Sequence, residues 1–426
     1  MAQLAIPITM LSIWPMVAMI VVCVVALSPR KLFAFLDSAP TVHAHRLESI
    51  DGLRGFLSVA VLFHHFLMHG YGAKHGAPLT DHFYMYIGPS GVSMFFMITG
   101  YLFWKRLLLK GESIDWLELY VNRAFRIYPL YLVLIVAYFC IAWSRVVPNS
   151  PLSITQLCGE LAQWFSFGLF GKPQPLFGLE GATAAVGPTW SLRYEWLFYI
   201  SLPLLAVFAR NKQAAAITAS ALFLLQTLNG FIAEPYRSFL AQFLCGMLTA
   251  SILRAFPAMR GDGFLKSSFA VVSLVGAIVL TDTPYSPSGT LFLGASFFLI
   301  ASGASLFGLL KSRGVKRLGN ISYSVYLLHS AVLTILMTRI GILTFALSSD
   351  GHFWLTAGLM FSCTVLISVV TFAVIERGGI AIGRRFTGRR LSRREGDDAG
   401  AQQLEVMPLT EARLAKPANT QSNLLY

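Results

Sequence analysis

Arg54 and His65 stand eleven residues apart in an otherwise apolar run that begins Asp51-Gly-Leu-Arg-Gly and reaches Phe63-His64-His65. On a helix that interval is about 1100°, within about 20° of three full turns, so both side chains share one face ~16 Å apart. An ionisable group inside an apolar span costs roughly 2.5 kcal/mol or more, which makes it a functional candidate. A histidine can take a proton from a hydroxyl near neutral pH, and an arginine can grip phosphate through paired hydrogen bonds. A base past the bilayer midplane and a phosphate grip at the inner mouth suit group transfer from a phosphate-bearing carrier to a hydroxyl. A packing histidine and an anchoring arginine form the plain alternative, and their common register weighs against it. His64 points about 100° away from His65, while His69 lies one turn further on nearly the same face. Asp51 is expected to cap the helix or pair with Arg54.

A second polar group is Thr189-Trp190-Ser191-Leu192-Arg193-Tyr194-Glu195. Entering from outside, Glu195 would lie ~8 Å below the outer surface, and His65 would lie ~21 Å above the inner one. In a core of about 30 Å these depths nearly coincide. Glu195 is therefore expected to orient His65, as a carboxylate orients a catalytic imidazole. A local Arg193–Glu195 pair is the alternative, although residues two apart on a helix do not face each other. Arg123 and Arg126 precede Ile127-Tyr128-Pro129, read as a helix start, and their spacing of three puts both guanidinium groups on one side. Gly88, Gly91 and Gly100 flank Phe95-Phe96 and read first as sites of close helix packing. His329, about 12 Å inside the inner surface, joins Asp51, His64, His69, Trp190 and Ser191 as channel-lining candidates.

The elements that position these groups follow from composition. Hydrophobic residues make up 55% of the 426-residue chain and charged residues 12%, about half the usual soluble share. Mean hydropathy is +0.64. So little charge cannot cover a water-exposed surface, and apolar runs near the roughly 20 residues of a bilayer crossing recur from end to end. The chain reads as an all-α polytopic membrane protein. Eleven spans are expected, near 9–27, 51–69, 83–104, 127–144, 191–209, 213–231, 237–253, 268–281, 290–310, 321–341 and 353–375. Residues 154–170 read as an apolar helix outside that count. The first span has no basic stretch before it, and Arg30 and Lys31 follow it, so it is a retained helix rather than a signal peptide.

With the N-terminus outside and the C-terminus in the cytoplasm, 27 of the 33 Lys and Arg fall on the inner side. The net charge of +13 is thereby assigned to membrane topology, and no nucleic acid partner is expected. The five cysteines are scattered, without a CxxC pair, and suggest neither a metal site nor a disulfide framework. Three divisions result: residues 1–45, a first transmembrane helix and linker; 46–383, the membrane domain; and 384–426, a basic, disordered cytoplasmic tail.

Several segments together resemble the membrane-bound acyltransferase family 3, the O-acyltransferases of bacterial surface polysaccharides. They are RLESIDGLRGFLSVAVLFHHF (46–66), GVSMFFMITGYLF (91–103), NRAFRIYPLYL (122–132), TWSLRYEWLFYISLPLL (189–205) and LGNISYSVYLLH (318–329), in the family's order. The resemblance implies a core of about ten spans with both ends cytoplasmic, to which the first helix is an addition. It matches Arg54 and His65 to the family's Arg-x10-His pair. Asn122 replaces the first arginine of the family's RRxxR, leaving Arg123 and Arg126, and Glu376-Arg377-Gly378 lacks the closing proline of its last motif. Many relatives append an extracytoplasmic esterase-like domain. None is seen in this sequence, so transfer is expected within the membrane domain.

The resemblance implies transfer of an acyl group, acetyl foremost, from cytoplasmic acyl-CoA (acetyl-CoA) to a hydroxyl of a cell-surface or lipid-linked glycan. A bacterial inner membrane is implied likewise. Arg54, Arg123 and Arg126 would hold the coenzyme's phosphates, and His65 would act as general base with Glu195 behind it. A transient acyl-His65 intermediate is the other route left open. No resident cofactor or metal is expected. Rival readings are a proton-coupled transporter with His65 and Glu195 as relay, a scaffold of an export complex, and the same chemistry on a small-molecule acceptor.

Overall fold

Aspartate and serine side chains start several of the apolar helices by accepting a hydrogen bond from an otherwise orphaned backbone N–H. Asp81 accepts from Tyr84 N at 3.0 Å, Asp115 from Glu118 N at 2.9 Å and Ser349 from His352 N at 3.1 Å. The computed structural model describes residues 9–37, 48–111, 113–144, 153–178, 183–209, 211, 213–227 and 232–388. Arg46, Arg145, Arg210, Lys212 and the tail from residue 389 lie outside the described residues.

Among the described residues every regular element is helical. In chain order they are α1 (Ile13–Ala26), α2 (Glu48–His75), α3 (His82–Lys110), α4 (Trp116–Trp143) and α5 (Ile154–Phe165). Then come α6 (Trp190–Ala209), α7 (Ala214–Thr227), α8 (Tyr236–Ala255), α9 (Phe264–Leu280) and α10 (Pro287–Ser302). The last are α11 (Arg313–Asn320), α12 (Ser322–Thr334), α13 (Leu343–Ser348) and α14 (Asp350–Thr371). Past a π-helical turn at Phe372–Glu376 the helix runs on to Gly388. Residues 384–388, assigned to the tail by sequence, thus belong to the last helix.

Six helices are long and apolar enough to cross a bilayer, and α11 with Ser322–Thr338 passes as one broken span bent by 66°. Four shorter apolar helices, at Ile13–Ala26, Ala214–Leu225, Phe264–Leu280 and Pro287–Ser302, fall on the remaining sequence spans. A multi-pass integral membrane protein accounts for this set. One boundary differs from expectation. Arg123 and Arg126 sit inside α4, which starts at Trp116 rather than near Ile127. The Asp115 cap, with Glu118 in the first turn, is the stronger start signal, and Pro129 is absorbed within the span.

Small residues set the closest crossings. A Cβ on Gly100 would overlap the Phe243 carbonyl, and one on Gly246 the Met97 carbonyl, so α3 and α8 touch backbone to backbone. Gly55 likewise lets α2 lie against Leu318 and Gly319 of α11.

The first helix is tied to the rest by polar contacts as well as packing. Trp354 Nε1 donates to the Thr9 carbonyl at 2.8 Å and Tyr84 OH to the Ser12 carbonyl at 2.9 Å. Arg317, 1% exposed, donates to the carbonyls of Leu27 and Pro29 at 2.8 and 2.7 Å. It also bridges both oxygens of Asp37 at 2.8 Å, and these bonds hold that carboxyl below the usual carboxylate range. Arg317→Leu strands the carbonyl acceptors and leaves a half-exposed Asp37, and is expected to cost about 1–3 kcal/mol. Thermal unfolding in detergent checks it: a lowered Tm is expected, and an unchanged one would show that the clamp holds nothing.

Candidate active site

The unbroken α2 helix keeps Arg54 and His65 in the register their spacing demands, three turns apart on one face. His64, on another face, is buried against Gly88, where any side chain would strike its ring. Its Nδ1 donates to the Tyr84 carbonyl at 2.7 Å, so His64 joins α2 to α3. His69 is exposed one turn above His65.

His65 meets another histidine. His329 Nε2 lies 3.3 Å from His65 Nδ1, with ring centroids 4.9 Å apart. The backbone settles both tautomers, because a carbonyl only accepts. His329 Nδ1 lies 2.7 Å from the Tyr326 carbonyl and so carries a proton, which leaves Nε2 an acceptor. His65 Nδ1 lies 2.9 Å from the Val61 carbonyl and carries one too, shared between that oxygen and His329 Nε2. The lone pair of His65 is therefore on Nε2, which has no protein partner among the described residues.

Below the histidines a cavity of about 560 Å³ opens between α2, α3, α4, α6 and the last helices. Arg54, Asp51, Arg123, Arg126 and Glu195 line it together, along with Ser191, Tyr326 and Phe95. Ser191 Oγ and Tyr326 OH are 2.8 Å apart, and the Tyr326 ring centroid lies 6.2 Å from that of His329. Tyr326 thus connects the cavity wall to the histidine pair, although neither histidine lines the cavity. Arg123 lies over the Phe103 ring, 4.7 Å from its centroid. Among the described residues no carboxylate reaches ion-pair distance of Arg54, Arg123 or Arg126.

Glu195 does not hydrogen-bond His65. It accepts from Tyr199 OH at 2.8 Å and shares the cavity with the three arginines, while His329 fills the place beside His65. Equal depth on two helices says nothing about whether the side chains face each other, and here they do not. Trp190 is 42% exposed and packs on Phe239 and Tyr194, away from the cavity wall.

Sequence reasoning passed over Tyr326 and Tyr199, whose signals were one-turn spacings from His329 and Glu195. It gave no role to Glu376, now buried at 1% exposure where a π-turn aims it inward. Ser324 Oγ donates to one Glu376 oxygen, and the other has no partner among the described residues.

Comparison with known proteins gives one family, described as an acyltransferase domain, over residues 47–373. The chain is 26% identical to the exopolysaccharide production protein ExoZ of Rhizobium meliloti, over 73% of this chain and 95% of that protein. It is 25% identical to nodulation protein 10 of Rhizobium leguminosarum bv. viciae, over 82% and 97%. With the putative peptidoglycan O-acetyltransferase YrhL of Bacillus subtilis it shares 25% identity over 69% of this chain and 50% of that protein. No solved structure matches the chain.

Proposed function

Because the chain belongs to this acyltransferase family and is an acyltransferase of the membrane, we propose that it moves an acyl group, acetyl foremost, from cytoplasmic acyl-CoA to a hydroxyl of a cell-surface or lipid-linked glycan. The observation that carries this reading is the arginine-lined cavity, whose lining residue Tyr326 has its ring 6.2 Å from that of His329, the partner of His65. The names of two relatives, an exopolysaccharide production protein and a putative peptidoglycan O-acetyltransferase, point to a glycan acceptor.

In this mechanism Arg54, Arg123 and Arg126 hold the donor's phosphates by charge-assisted hydrogen bonds. The thioester lies toward Ser191 and Tyr326. His65 Nε2 removes the acceptor's hydroxyl proton as its oxygen bonds to the thioester carbon. The C–S bond breaks, and the thiolate leaves with the proton that His65 took, giving free coenzyme A. His329 Nε2 keeps the His65 proton on Nδ1 and so keeps the Nε2 lone pair facing the acceptor. Glu195 and Asp51 offset part of the arginine charge when the cavity is empty.

Residues 46–383 form the catalytic unit, with 1–45 added before it and the basic tail after it. The topology is eleven crossings, N-terminus out and C-terminus in, in a bacterial inner membrane. The distribution of Lys and Arg supports it, with the four shorter apolar helices crossing as short spans. The test is mass spectrometry of alkali-labile acetyl esters on surface polysaccharide. Disrupting the gene should remove them and complementation restore them. A surface unaltered by disruption would overturn the glycan acceptor.

A further inference from the structure

The family match covers residues 47–373, yet the mouth of the cavity is built partly outside it. Phe35 and Asp37 come from the segment before α2, and Arg377 and Arg384 from the helix after Glu376. Lys105, from the end of α3, completes the rim. The two flanking segments are fastened to each other and to the domain. Arg377 Nη1 donates to the Phe35 carbonyl at 3.0 Å, and Asn320 Nδ2 to the Leu36 carbonyl at 2.9 Å. Asp37 is taken up by the Arg317 clamp. Neutralised in that way, it leaves the rim with the positive charge of Lys105, Arg377 and Arg384. Phe35 adds an aromatic ring, 38% exposed.

A single carrier with one phosphate group needs only the three deeper arginines. Coenzyme A carries charge in two places, a pyrophosphate on its pantetheine side and a 3′-phosphate on the ribose of its adenosine. Two tiers of cations along one cavity, the outer one beside an exposed aromatic ring, match that distribution. We propose that Lys105, Arg377 and Arg384, with Phe35, form a subsite for the 3′-phosphoadenosine end of the donor. The subsite rests on the reading of acyl-CoA as donor, and it makes the N-terminal segment a wall of the donor's entrance.

The experiment compares acetyl-CoA with 3′-dephospho-acetyl-CoA as donors in purified full-length protein. Wild type is expected to prefer acetyl-CoA by about tenfold in kcat/KM, the combined effect of charge-assisted contacts at a half-exposed rim. In the double variant Arg377→Gln/Arg384→Gln that ratio is expected to fall toward one, through a raised KM for acetyl-CoA. Arg377→Lys/Arg384→Lys, which keeps the charge, should retain most of it. A ratio unchanged in the Gln variant, or equal losses with both donors, would overturn the subsite while leaving the acyltransferase reading standing. Wild type that uses neither donor would overturn both.

Discussion

His65→Ala is expected to lower kcat for acyl transfer by about 10²–10⁴-fold, the usual worth of a positioned general base. The substitution removes the one lone pair that the tautomer network directs away from the backbone, while the fold keeps its contacts, because His65 bonds only to Val61 and His329. KM for the donor should stay near wild type, since the arginines that bind it lie about three turns of α2 below. His329→Leu should cost less, because it frees the His65 ring to change tautomer without removing the base. Steady-state kinetics at equal membrane abundance checks both. A His65→Ala enzyme with wild-type kcat would remove His65 from the chemistry.

Arg54→Leu is expected to act on the other half of the reaction. A hydrogen bond to a charged group is worth roughly 1.5–3 kcal/mol, so kcat/KM for acyl-CoA should fall about tenfold to 150-fold, mostly through KM. Arg54→Lys should recover only part of the loss, since an ammonium keeps the charge but not the paired geometry. Direct binding of coenzyme A to the detergent-purified protein separates this from a folding defect. Equal affinity in wild type and Arg54→Leu would show that the guanidinium does not touch the donor.

Much of this site was legible along single helices. The register of Arg54 with His65, and of Arg123 with Arg126, depends only on helical periodicity, and the structure keeps each pair on one continuous helix. Contacts between helices were not legible. His329 is 264 residues from His65 in sequence, and no pattern in either segment says that the two rings meet. Glu195 shows the same limit from the other side. Its depth was estimated from span ends, but which neighbour it faced depended on the rotation of α6, which depth does not fix. The start of α4 was placed about eleven residues too late, because the apolar run begins near Ile127 while the helix is started by the Asp115 cap in the more polar segment before it. The cavity mouth depends on Arg317 reaching back to Asp37, a pairing between distant segments that sequence spacing cannot reveal.

The most direct measurement places purified wild-type protein in sealed proteoliposomes, with radiolabelled acetyl-CoA on the side of the basic loops and a glycan acceptor on the other. The mechanism predicts label in the glycan as an alkali-labile ester, with one free coenzyme A thiol released for each ester formed. Passage of acceptor or donor across the bilayer with the thioester intact would contradict it and would favour a transporter.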